Sequence, residues 1–131
     1  MQPFHLAFPV HDLSLAKKFY TNILLCKVGR SSKEWIDFNL FGHQIVAHLD
    51  ESMDFKSSLN IVDGKKVPVR HFGIVMEWKK WHQFVDHLKN KKVNFLIEPH
   101  TRFKGKPGEQ GTFFIKDPSG NALEFKSFKD K

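Results

Sequence analysis

The chain contains a single cysteine, Cys26, and no apolar run long enough to cross a bilayer. One thiol excludes an intrachain disulfide and with it the small disulfide-stapled folds. The opening residues, MQPFHLAF, have neither the charged start nor the cleavage site of a secretory leader. Together these absences predict a soluble, cytoplasmic protein without a membrane partner. Acidic residues are outnumbered, 14 against 21 Lys and Arg, which leaves a formal charge of +7. The lysines are dispersed rather than clustered. Their first reading is a solvated surface, and their second a field that draws in a small anion. No aromatic–basic RNA motif or helix-turn-helix pattern occurs, which argues against nucleic acid. With 131 residues, 40% hydrophobic and 14 of them phenylalanine, the chain can build one packed domain.

Residues 4–10 (FHLAFPV) alternate as a strand, with Phe4, Leu6, Phe8 and Val10 on one face and His5 and Ala7 on the other. Asp12 or Ser14 can cap a following helix, whose core stripe is Ala16, Phe19, Tyr20 and Ile23. Strands are expected over Cys26–Arg30, Trp35–Leu40 and His43–Leu49. Residues 50–68 are polar and aperiodic, contain Gly64 and Pro68, and read as a connecting loop. The first pattern then returns. Residues 70–76 (RHFGIVM) alternate, and a helix with Trp81, Phe84, Val85 and Leu88 at i, i+3, i+4 and i+7 follows. Strands are expected over Val93–Ile97, Thr112–Lys116 and Asn121–Ser127.

This is an internal repeat. His5 precedes His71 by 66 residues and Gly42 precedes Gly120 by 78, and the surplus of 12 falls in the Gly- and Lys-rich insertion Thr101–Gly111. Two βαβββ modules follow, module one over 1–49 and module two over 69–131, joined by 50–68. The expected fold is α+β, a curved mixed sheet around a metal-binding cavity.

Each module opens on a strand histidine, His5 and His71, and module two closes on a strand carboxylate, Glu124. Two histidines and one carboxylate make the facial set of non-haem Fe(II) sites, and the same types suit Zn or Mn. The competing reading is a pair of hydrogen-bonded strand histidines and a solvent-facing carboxylate. In the insertion, Arg102, Lys104 and Lys106 with Gly105, Pro107 and Gly108 form a flexible cationic loop that can close on a bound anion, with Arg102 clamping a carboxylate. His100, just before it, is placed at the cavity mouth. His11, His43, His82 and His87 read as surface or capping residues.

The segments FHLAFPVHDLSLAKKFY, RHFGIVM and DPSGNALEFK resemble the vicinal oxygen chelate superfamily of glyoxalase I, fosfomycin- and bleomycin-resistance proteins and extradiol dioxygenases. FGHQIVAHL, HFGIVMEWKKWH and EPHTRFKGKPGEQGTFFIKDPSGNALEFK resemble a bacterial group of extradiol-type dioxygenases. The resemblance implies a metal held by His5, His71 and Glu124, Fe(II) first and Zn, Mn or Ni as alternatives. It places Val46, which cannot coordinate, where glyoxalase I has a fourth ligand, and so favours the dioxygenase type. His48, on the same strand face, becomes the candidate acid/base. Phe114 stands where extradiol enzymes carry a tyrosine whose hydroxyl assists the substrate. The resemblance further implies a homodimer and a small aromatic or carboxylated substrate, bound by Arg102, Lys104, His100 and Phe114. Two alternatives stay open: an oxygen-independent lyase, isomerase or transferase, and a metal-free resistance-type binding protein.

Overall fold

The structure is a computed structural model that describes residues 2–52, 58–62 and 65–130, with 58–62 described by backbone alone. In chain order the elements are β1 (His5–Val10), α1 (Leu13–Lys18), a π-helical turn (Phe19–Ile23), β2 (Lys27–Ser31), β3 (Trp35–Leu40) and β4 (His43–Leu49). There follow β5 (Ser58–Val62), β6 (Lys65–Val69), β7 (His71–Met76), α2 (Trp78–Asn90), β8 (Phe95–Arg102), β9 (Gln110–Lys116) and β10 (Ala122–Phe128). The two large sheets have orders β1-β4-β3-β2 and β7-β10-β9-β8. In each, the first pair is parallel and the other pairs antiparallel. Two open mixed sheets of identical topology are what two βαβββ modules produce.

The expected loop over 50–68 is corrected in its second half. β5 and β6 pair antiparallel, with Leu59 opposite Pro68 and Val62 opposite Lys65. Proline is tolerated because a two-stranded ribbon has only edges. Residues 53–57 and 63–64, Gly64 among them, lie outside the described residues.

By contacts the chain divides into two compact units, residues 1–56 with 117–121, and 57–116 with 122–131. In the first, alternation sends Phe8, Val10, Ile36, Phe38 and Leu40 to the face that buries Tyr20. The Tyr20 ring stacks on Phe38 with centroids 5.1 Å apart. Asp12 caps α1 by accepting from the Leu15 N–H at 2.9 Å. In the second unit, the α2 stripe Trp81, Phe84, Val85 and Leu88 is buried. Phe84 meets Phe125 edge-on at 5.1 Å, and the Trp81 indole N–H donates to the Phe125 carbonyl at 2.9 Å. Leu123 and Phe125 therefore face the helix, and Glu124 faces the opposite side.

The turn at 117–121 belongs to the first unit. The Tyr20 hydroxyl donates to Asp117 Oδ2 at 2.8 Å, and Asn121 donates to the same oxygen at 2.9 Å. The Ser119 and Asn121 backbone N–H groups donate to Oδ1, each at 2.9 Å. Burial raises the Asp117 carboxyl above its ordinary value, against the lowering effect of these donors. Burial, and then the Asp117 charge, push the Tyr20 hydroxyl well above 10.0. The unfolded chain loses that proton first, so this contribution is whole below pH 10.0 and is lost as pH rises toward the native value. Tyr20→Phe is expected to cost roughly 1–2 kcal/mol, a fall in Tm of about 4–8 °C. It should also flatten the alkaline loss of stability; pH-dependent melts of both proteins check this.

Candidate functional site

β7 and β10 run side by side with Ala122 opposite His71 and Glu124 opposite Gly73. The backbones approach so closely that a Cβ on Gly73 would overlap the Glu124 carbonyl oxygen, so the position requires glycine. His71 and Glu124 rise from these neighbouring strands on the face away from α2, and their polar atoms meet. His71 Nε2 lies 3.2 Å from Glu124 Oε1. The other ring nitrogen, Nδ1, lies 2.6 Å from the Pro68 carbonyl oxygen. A carbonyl only accepts, so Nδ1 carries a proton, and Nε2 is left to face the carboxylate, with a lone pair in a neutral ring or an N–H in a charged one. A lone pair facing a carboxylate oxygen at 3.2 Å needs a proton or a cation between them. Two ligands of one zinc- or iron-like ion, each about 2.0–2.2 Å from it, would be roughly 3.0–3.4 Å apart. The pair fits a divalent ion.

The surroundings orient this pair. Thr112 Oγ1 donates to Glu124 Oε2 at 2.5 Å, and Lys126 Nζ stands 3.9 Å from the same oxygen. Oε1 is thereby left to face His71. Phe114 lies directly opposite Glu124 across β9 and β10, and its ring meets the His71 ring edge-on at 4.9 Å. All these side chains line one cavity of about 170 Å³, to which Arg102, His100 and Lys65 also contribute.

The first unit repeats part of the arrangement. His5 Nδ1 lies 2.9 Å from Gln44 Oε1, which again leaves Nε2 outward, as the outer partner of a metal-binding histidine does. Gln44 holds the register place of Ala122, Val46 that of Glu124 and His48 that of Lys126. His48 thus shares the open face of His5. Among the described residues no three His, Cys, Asp or Glu side chains form one metal-holding group; the pair brought together is His71 with Glu124.

Arg102 is not on a free loop. It ends β8, paired with Gln110, with its guanidinium 5.0 Å from the centre of the Phe103 ring. His100 lies on the same strand, its Nδ1 3.0 Å from the Glu98 carbonyl oxygen. Lys104 falls in the connection after β8 and does not line the cavity. In that connection Glu109 Oε1 accepts from the Gly105 N–H at 2.9 Å. This bond, with Lys129 beside it, holds the Glu109 carboxyl below its ordinary value. His43 is tied to the Phe4 N–H, His82 to the Trp78 carbonyl and His11 to Ser119, as surface and capping residues would be.

Five cavity residues escaped the sequence reading: Lys65, Val67, Ile97, Thr112 and Lys126. For the first two, Asp63-Gly64 between two short apolar runs was a usable hairpin signal. Thr112 was predicted as strand, and its role follows only from the register that sets it across from Lys126, beside Glu124.

A family model described as the glyoxalase/bleomycin resistance protein/dioxygenase superfamily matches residues 2–125. A crystal structure of a glyoxalase/bleomycin resistance protein/dioxygenase from Alicyclobacillus acidocaldarius is similar at 37% identity, with 97% of this chain and 91% of that chain covered and a TM-score of 0.82. The genomically encoded fosfomycin resistance protein of Listeria monocytogenes is 16% identical, with 97% and 93% covered and a TM-score of 0.70. A virulence protein of Salmonella typhimurium is 20% identical, with 98% and 97% covered and a TM-score of 0.65. At these two identities the likeness concerns the fold. Among curated proteins nothing matches.

Proposed function

Because the chain belongs to the glyoxalase/bleomycin resistance protein/dioxygenase superfamily, we propose that it is a metal-dependent enzyme, a dioxygenase of extradiol type acting on a small aromatic or carboxylated substrate. The observation that carries this reading is the separation of His71 Nε2 and Glu124 Oε1, 3.2 Å apart with Nδ1 already committed to Pro68. His5, His71 and Glu124 would hold the ion, Fe(II) first, with Zn, Mn and Ni as the other outcomes of metal analysis. When bound, the ion supplies Lewis acidity toward a substrate oxygen and, if it is iron, a one-electron route to dioxygen.

The chain's own groups do the rest. Thr112 and Lys126 fix the Glu124 carboxylate, so its orientation is set before substrate arrives. Arg102 and the neighbouring lysines attract an anionic substituent, and Phe114 offers its ring as an apolar wall. His48, on the open face of the first sheet, is the proposed proton acceptor for a substrate hydroxyl. One observation favours a second reading, an oxygen-independent lyase, isomerase or transferase: Phe114 puts no hydroxyl opposite Glu124.

The test is elemental analysis of freshly purified protein, then anaerobic Fe(II) loading and oxygen uptake with a panel of catechols. Close to one ion per chain with substrate-dependent uptake is expected. Turnover without oxygen uptake transfers the assignment to the second reading, and a metal-free protein that still binds ligand to the resistance-type one. A homodimer completes the proposal, and light scattering should give about twice the chain mass of 15.3 kDa. Co-refolding His5→Ala with Glu124→Gln identifies the origin of the ligands. Sites shared between chains restore about a quarter of wild-type metal content, and sites within one chain restore none.

A further inference from the structure

The cavity beside His71 and Glu124 has a composition that those two residues do not explain. Val67 on β6, Ile97 on β8 and Phe114 on β9 form one buried apolar cluster, each less than 10% exposed, and all three line the cavity. Three permanent cations, Lys65, Arg102 and Lys126, share that lining with a single carboxylate, Glu124. Lys126 is partly engaged by that carboxylate at 3.9 Å. The Lys65 side chain makes no hydrogen bond or ion pair among the described residues, although β6 carries it to the cavity. A divalent ion at His71 and Glu124 would make the excess of positive charge larger. The volume, about 170 Å³, is close to the roughly 150 Å³ that encloses a benzene molecule in an apolar protein cavity.

We infer that this cavity takes a ligand with an apolar body the size of one six-membered ring and a single acidic group, the ring lying on Val67, Ile97 and Phe114 and the acid gripped by Lys65 and Arg102. β6 is then a working wall of the site rather than a connection between modules. The apolar cluster rejects a bare inorganic anion, which leaves that surface wet. The cations reject a neutral ring, which leaves the charge excess standing. The inference rests on this cavity being the substrate site of the proposed enzyme, and it narrows the substrate to a ring that carries its own acid.

Titration calorimetry of the full chain, first treated with chelator and then loaded with Zn²⁺, tests it with three probes: benzoate, benzyl alcohol and inorganic phosphate. Benzoate is expected to bind at least about tenfold more tightly than either of the others. Lys65→Met should weaken benzoate about three- to fivefold. Val67→Trp, which fills the cavity, should abolish benzoate binding, and Val67→Ala, which leaves it open, should not. Equal binding of benzyl alcohol overturns the role of the cations. Equal binding of phosphate reduces the site to a surface field and overturns the role of the ring pocket. No benzoate binding in either metal state overturns the inference altogether. Metal content, measured on the same samples, separates this result from the enzyme proposal. A protein that takes benzoate but no metal keeps the inference and loses the proposal; one that takes metal but not benzoate does the reverse.

Discussion

Glu124→Gln is expected to lower divalent-metal affinity by at least about 100-fold, because outer partners of metal ligands are already worth about 10–100-fold and this change strikes a ligand itself. The substitution keeps the side chain's size and an oxygen that can accept from Thr112, which now donates at 2.5 Å. What it removes is the negative charge facing His71 Nε2. The metal-free protein should therefore melt within about 3 °C of wild type, since the lost partners are part-exposed and such ion pairs contribute about 1 kcal/mol or less. The measurement is paired: metal content after dialysis, and apo-protein Tm, for both proteins. Full metal occupancy in the variant would remove Glu124 from the ligand set and take the support from the proposed function. A collapse of the apo protein would make Glu124 a structural residue of the β9–β10 pair.

Gly73→Ala should do the opposite, damaging the fold first and the site as a result. The new methyl group must occupy space held by the Glu124 carbonyl oxygen, in the middle of a parallel ladder with partners at every position from His71 to Met76. Backbone on both sides leaves nothing flexible to yield, so a loss of about 3 kcal/mol or more is expected, near the upper end for one added methyl group. For a chain of this size that is a fall in Tm of roughly 10 °C or more, and metal binding should fall with it as β10 moves away from β7. Ala7 provides the contrast. It holds the same register place in β1, opposite Val46, and already carries a Cβ; Ala7→Gly should cost about 1 kcal/mol or less. A Gly73→Ala protein that melts within about 2 °C of wild type would sink the close-approach argument.

Much of this architecture is legible in the sequence, because the information is periodic. The strand spans Trp35–Leu40 and His43–Leu49 agree with β3 and β4 residue for residue. The helical stripe from Trp81 to Leu88 is buried as its spacing requires. The repeat was legible for the same reason, since two copies of one pattern reinforce each other. β5 and β6 were missed because Pro68 and paired lysines mask the alternation of a five-residue ribbon strand. Cap geometry chose Asp12 over Ser14, which the sequence left open. Within the site, residue types pointed to His71 and Glu124. Thr112, Lys65 and Val67 became visible only through register and through a hairpin, which are properties of paired strands rather than of single ones.

The Asp117–Asn121 turn has a further consequence, for the order in which the protein is made. It belongs to the first unit although the strands on either side belong to the second. The bond from Tyr20 to Asp117 spans 97 residues and that from Asn121 to Pro9 spans 112. A nascent chain that has exposed only its first 56 residues therefore holds Tyr20 with its hydroxyl unanswered. That half cannot complete its polar interior until nearly the whole chain has left the ribosome. Contacts of such long separation slow folding, and domains that finish late stay open to misassociation during synthesis. A gene cut at the junction between the modules should accordingly yield two fragments that need each other, and secretion or display as isolated halves should fail where the intact chain succeeds.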